Sequence, residues 1–317
     1  MRVLSLVASS TEIVAALGAE NLLVGRSHEC DFPEAVKALP QVTIPSFPTE
    51  GSSAEIDREI KLRVRDALSI YEVDREKLRE LKPDVILTQT QCEVCAVSLK
   101  DVERALADQV GYSPKIVSLK PNSLDELYAD IRRVAVAIGL EPRGERLVAE
   151  LKGKMAAITR VTRRMNSREN WGKKPTVAII EWIEPLMAAG NWMPELVAAA
   201  DGVNLFGEAG KHSPWMTMDE LVQRDPDVVI IAPCGFDLTR TKRELHLLTG
   251  NPEFRGLRAF RENRIAIADG NQYFNRPGPR TLGALEILAE ILYPGRLEFA
   301  RAPLADGSSG WEWVSSN

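Results

Sequence analysis

Cys92-Glu-Val-Cys95 has the two-residue spacing of a metal-binding or redox cysteine pair. A closed zinc site takes about four ligands, and no second such pair accompanies this one. His28, His212, Cys30 or Cys234 completes a set only if the fold gathers them. A thioredoxin-like pair belongs near the first βαβ unit, and this pair lies well past it. The two cysteines therefore read as loop residues, buried or lining a pocket, with metal or redox chemistry as the alternative. His28 is the other candidate, because imidazole is a common metal ligand. It could meet a metal carried inside a bound ligand, although a loop histidine is more often only hydrogen-bonded. There is no Gly-rich phosphate loop and no Gly-x-Ser-x-Gly nucleophile elbow. No catalytic constellation emerges, so the chain is read as a non-enzyme with no metal site of its own.

What remains is binding chemistry, and it concentrates where strands end. In open parallel sheets, ligands sit beyond the carboxyl ends of the strands. Those positions hold Ser9 and Ser10 after the first strand, and His28 and Glu29 after the second. Gln91 and Cys92 follow a third. Further along come Trp182, Asn191, Trp192 and Trp215, then Tyr273, Phe274 and Arg276. Any one ring could simply fill core. As a set, flat aromatic groups with amide neighbours suit a large, flat, partly polar ligand, since each ring covers roughly 150–250 Å².

The elements that must position these residues come in two similar sets. Glu76, Leu78, Pro83 and Asp84 recur as Asp219, Leu221, Pro226 and Asp227 in the same relative places. Each copy is a short helix, a Pro-Asp stop and an apolar run. Proline cannot continue the helix, and the β-branched runs that follow suit strands covered on both faces. Two α/β lobes with mainly parallel sheets are expected, and a cleft between two lobes is a natural ligand site. The first lobe is placed at 1–122. It has a strand over Arg2–Val7 and a helix over Thr11–Leu17 capped by Ser9, Ser10 and Thr11. A linker helix region is placed at 123–170, with a charged helix from Glu145 to about Arg164 reading as a strut. The second lobe is placed at 171–300, with strands at Thr176–Glu181, Val228–Ala232 and Arg264–Ala268 and a closing helix at Thr281–Leu292. Residues 301–317 read as a loose tail.

Composition agrees with a globular binder. A net charge of -5 with scattered basic residues offers no stripe for nucleic acid. No apolar run is long enough for membrane insertion. Four cysteines are few for 317 residues and fit a reducing compartment. No basic, apolar leader precedes the first strand, so the chain as it stands is expected in the cytoplasm, or in the periplasm if a leader has been removed.

The opening Ser5–Glu12 and the run Val24–Pro33 (Val-Gly-Arg-Ser-His-Glu-Cys-Asp-Phe-Pro) resemble cobalamin-binding proteins of the ABC-importer substrate-binding type. The stretch Leu81–Ser98 resembles a branch described as cobalamin-binding. The resemblance runs from Arg2 to about Pro294. It implies two α/β lobes joined by one long helix, with a corrinoid bound between them. It also implies no cofactor beyond that ligand and no bond made or broken. By motif position Trp182 and Trp215 match ligand-contacting aromatics of that family, and Tyr273-Phe274 before Arg276 matches a Trp-Phe pair. Where the exported carriers have a tyrosine, this chain has Glu29 beside His28. The resemblance further implies an ABC permease as partner, docked through Glu76 and Asp219. Helix N-terminal positions favour acids in any case. Relatives of the fold bind haem, siderophores or metal chelates, and these remain the alternative ligands. A cytosolic corrinoid-handling enzyme or one using Cys92 and Cys95 is the alternative of another class.

Overall fold

The computed structural model describes residues 1–66, 68–90, 99–106, 113–169, 173–299 and 307–315. The Cys92–Cys95 pair and Gln91 lie outside the described residues. The chain forms two compact units, Met1–Gly51 with Glu55–Glu150, and Ser52–Ala54 with Leu151–Asn317.

The first unit runs β1 (Val3–Ser5), α1 (Ala8–Ala16), β2 (Leu23–Arg26), β3 (Thr43–Pro45), α2 (Ser53–Arg65, whose first two residues belong to the second unit), β4 (Tyr71–Val73), α3 (Arg75–Leu81), β5 (Val85–Gln89), α4 (Leu99–Leu106), β6 (Lys115–Leu119) and α5 (Leu124–Ala137). Its main sheet has the order β2-β1-β5-β6, and every pairing is parallel. β3 and β4 form a separate antiparallel ribbon. Leu4, Leu6, Leu78, Ile86 and Val102 make a common core on one side of the sheet. The first strand is shorter than expected and the first helix starts earlier. Ser9, Ser10 and Thr11 are therefore not caps: they lie inside α1, whose N-cap is Val7 with no side-chain bond. The hydroxyls of Ser10 and Thr11 bond inward, to the Val7 carbonyl and Ser5 Oγ, rather than to the N–H groups of a helix end.

α6 (Glu141–Glu169) is one continuous helix, longer than the charged strut expected, and the division between the units falls within it after Glu150. The second unit then runs β7 (Thr176–Trp182), β8 (Met187–Ala188), α7 (Met193–Ala199), β9 (Val203–Asn204), α8 (Met218–Arg224), β10 (Val228–Ile231), α9 (Leu238–Thr249), α10 (Pro252–Gly256), α11 (Arg258–Arg261), β11 (Ile265–Ala268), α12 (Thr281–Leu292) and β12 (Trp311–Trp313). β7, β10 and β11 pair in parallel, β9 adds in parallel to β7, and β8 and β12 are antiparallel edges. Both units thus have the expected mainly parallel α/β sheets. Residues 311–313, expected within a loose tail, instead pair with β11. Gly and Ser dominate the preceding residues and hide the short Trp-Glu-Trp strand from a composition-based reading.

The internal repeat is structural. α3 and α8 each end on a left-handed residue, Lys82 at φ 40° and Asp225 at φ 37°. Each such residue donates its N–H back into the helix, to Leu78 and Leu221 respectively. Proline then stops the helix and the aspartate ties down the neighbouring strand. Asp84 accepts from the Arg2 N–H at 2.6 Å, and Asp227 accepts from the Thr176 N–H at 2.8 Å. Arg258 also engages Asp227, and its charge with the Thr176 bonds outweighs burial, holding that carboxyl below its ordinary range.

Candidate functional site

In the first unit the loop after β2 carries the most distinctive group. The His28 N–H donates to Thr43 Oγ1 at 3.1 Å, and its ring Nδ1 lies 2.8 Å from the same oxygen. The ring rests on Tyr71 with centroids 5.2 Å apart. Burial, with the Arg26 charge second, lowers its pKa from 6.5 to about 4. The imidazole is therefore neutral near pH 7, and its 3.9 Å approach to Glu29 is not an ion pair there. A neutral imidazole keeps a lone pair, which is the form that binds metals.

Ser9 and Ser10 behave differently from each other. The Ser10 hydroxyl sits in an interior network, 2.6 Å from Ser5 Oγ and 2.9 Å from the Val7 carbonyl oxygen to which it donates. Thr11 extends that network to Cys30 Sγ at 3.0 Å. The Ser9 hydroxyl is buried and has no hydrogen-bond partner.

In the second unit Trp182 closes β7 rather than sitting in the loop after it. Its ring meets Phe236 edge-on at 5.3 Å, and its indole N–H donates to the Ser53 carbonyl at 3.3 Å. The Ser53 N–H and hydroxyl in turn donate to the buried Glu244 carboxylate at 3.0 and 2.5 Å. Trp192 is the N-cap of α7, and Asn191 before it takes a left-handed φ of 53°. Asn191 Oδ1 and Trp192 Nε1 are both buried without a protein partner. Trp215 is 56% exposed and bridges Met187 as an antiparallel neighbour.

The loop after β11 is a single wide turn, Gly270–Phe274, capped by Asp269, whose carboxylate accepts from the Gln272 N–H at 2.6 Å. Glycine is required at 270 because a Cβ there would run into the Pro233 carbonyl of the loop after β10. Burial pushes Asp269 up from 3.8 to about 6. Arg276 donates to Asn271 Oδ1 at 2.8 Å and Arg280 to Gln272 Oε1 at 2.6 Å, so both guanidinium groups are tied to amides of this loop. Arg280 also lies over the Tyr273 ring, 5.7 Å from its centroid. Phe274 is 1% exposed and belongs to the core.

Glu76 and Asp219 both lie exposed in the first turns of their helices, at matching positions of the repeat. Sequence reasoning missed Phe236, Glu244 and Asp269. Asp269 carried a signal, an Asx residue three before a potential donor, but Glu244 is an unremarkable acid on a charged helix. Among the described residues no group of three His, Cys, Asp or Glu could hold a metal ion. No helix among them is long and apolar enough to cross a membrane.

Comparison with known proteins gives this arrangement relatives. A family profile described as periplasmic binding protein matches residues 3–271. A vitamin B12-binding protein of Pectobacterium atrosepticum is 21% identical over 297 residues, covering 92% of this chain and 88% of the relative. An uncharacterized ABC transporter substrate-binding lipoprotein of Bacillus subtilis is 23% identical over 298 residues, covering 92% and 80%. Among solved structures, a periplasmic heme-binding protein from Pseudomonas aeruginosa superposes with a TM-score of 0.71 at 20% identity, covering 99% of this chain and 98% of that one.

Proposed function

The chain belongs to the periplasmic binding protein family, whose members bind ligands without catalysis, and on that premise we propose that it binds cobalamin or a related corrinoid as the substrate-binding component of an ABC importer. The observation that carries the ligand choice is that two successive residues hold a buried acceptor, Asn191 Oδ1, and a buried donor, Trp192 Nε1, each without a protein partner. Leaving such groups unpaired costs about 1–3 kcal/mol each. A ligand that carries primary amides has both kinds of complement, an N–H for the oxygen and a C=O for the indole. The corrin periphery carries primary amides, whereas haem presents carboxylates. A carboxylate would pair with the indole N–H but be repelled by the amide oxygen. The similarity to a vitamin B12-binding protein over 92% of this chain supports the same reading.

Within this proposal exposed Trp215 supplies apolar area, the buried rings of Trp182, Trp192 and Tyr273 back the contact surface from the core, Ser9 and Asn191 supply hydrogen bonds, and neutral His28 is the group offered to cobalt. Glu29, Gln91, Cys92 and Arg276 complete the ligand set, and Ser10 and Phe274 act by holding their loops in place. Glu76 and Asp219 are the acids offered to a permease. The test is to mix purified protein with hydroxocobalamin, desalt it, and record the visible spectrum, with haemin as competitor. Retained corrinoid that haemin does not displace is the expected result. Absence of retained corrinoid at micromolar concentration, with haemin retained, would overturn the choice in favour of haem.

A further inference from the structure

We infer that the C-terminal strand β12 and the glycine before it position the Asp269–Arg276 loop for the ligand, an inference that rests on the corrinoid-binding reading of that loop. β12 pairs with β11 through Ala266–Trp313, Ile267–Glu312 and Ala268–Trp311. It thereby reaches the point where β11 gives way to the loop. There the Asp269 N–H donates to the Gly310 carbonyl at 2.9 Å. The Asp269 carboxylate caps Gln272 at 2.6 Å. One residue therefore joins the C-terminal segment to the wide turn through its two ends.

The second contact is steric. Gly310 adopts φ 86°, and a Cβ there would stand 2.6 Å from Cε2 and 3.0 Å from Cδ2 of Tyr273. Real Cβ atoms do not approach that closely, so the bare glycine sets how far Tyr273 can turn back toward the tail. The segment itself is anchored away from the loop. The Trp311 indole donates to the buried Glu290 carboxylate at 2.8 Å, and Lys242 pairs with Glu312 at 2.7 Å. Arg264 lies over the Trp313 ring, 5.2 Å from its centroid. Anchors from Lys242 on α9, Arg264 just before β11 and Glu290 on α12, with a contact on Tyr273, make a brace that ties the loop to the strand.

A matched pair of glycines separates contact from backbone strain. Gly307 has φ 79°, close to that of Gly310, but nothing lies within 4 Å of its would-be Cβ. Gly307→Ala carries the same left-handed penalty without touching Tyr273. The experiment compares wild type, Gly307→Ala, Gly310→Ala and Trp311→Phe in the full chain. It measures cyanocobalamin affinity by equilibrium dialysis and hydrogen exchange of amides 269–276 without ligand. The expected result is at least tenfold weaker binding and faster exchange in Gly310→Ala, a smaller loss of about threefold in Trp311→Phe, and wild-type values in Gly307→Ala. Equal affinity and equal exchange for Gly310→Ala and Gly307→Ala would overturn the inference. If the wild type binds no cyanocobalamin, the ligand reading falls, and the exchange comparison alone decides whether the tail holds the loop.

Discussion

Replacing His28 with glutamine should flatten the acid limb of stability in the first unit. The native ring has a pKa of about 4 against 6.5 for an ordinary histidine, chiefly because burial penalises the charged form. Between those values the unfolded chain holds a proton that the native chain does not. Stability is therefore full above pH 6.5 and is lost as pH falls toward 4. One pKa unit is worth about 1.4 kcal/mol, so the linked loss between pH 7 and pH 5 is about 2 kcal/mol. The ring side chain remains 18% exposed, which reduces the expectation to roughly 1–2 kcal/mol. Glutamine can keep a bond to Thr43 but cannot take up the proton. All six tryptophans lie at residue 171 or later, so their fluorescence reports the second unit and serves as an internal control. The first unit is followed by hydrogen exchange of β1 and β5 amides at pH 7 and pH 5. The ring itself is followed by its NMR titration against His212 and His246. A His28 resonance titrating near 6.5, or equal acid sensitivity in wild type and His28→Gln, would refute the argument.

Asp269 should show the opposite sign in the second unit. Its native pKa is raised to about 6, so stability rises as pH falls from 6 toward 3.8, by up to about 3 kcal/mol. Asp269→Asn keeps an oxygen for Gln272 and should be more stable than wild type at pH 7.5 by about 1–3 kcal/mol, with the gap closing at pH 4; thermal unfolding followed by tryptophan fluorescence measures both. Thr217 and Glu220 form a reciprocal capping box on α8, with bonds of 3.2 and 2.8 Å. Thr217→Ala should cost about 1 kcal/mol, and a urea titration showing no change would mean that tertiary contacts alone hold the helix. Glu244→Ala would leave the Ser53 donors unpaired and should cost about 1–3 kcal/mol, read as a shift in the tryptophan-monitored urea midpoint.

The fold was legible where local signals agreed. Leu78 and Leu221, the prolines at 83 and 226 and the aspartates at 84 and 227 mark a repeat that the structure keeps down to its left-handed helix ends. The helix Thr281–Leu292 was legible to the residue because an apolar face runs unbroken between a polar start and Tyr293. Ser9 and Ser10 misled because serine before an apolar run looks like a cap, and only packing shows that the whole turn is inside. β12 was hidden because its pairing partner lies more than forty residues away in sequence, and a three-residue strand has no period to read. Residue types single out Trp182 and Asn191 as candidates, but whether a ring is exposed, as in Trp215, or sealed, as in Phe274, depends on neighbours that spacing does not reveal.

The most direct measurement is a calorimetric titration with cyanocobalamin and with a cobalamin whose peripheral amides have been hydrolysed to carboxylates. An amide-reading site predicts saturable one-to-one binding of the first at micromolar affinity or tighter, and at least tenfold weaker binding of the second. Equal binding of both, or preference for the carboxylates, would contradict it.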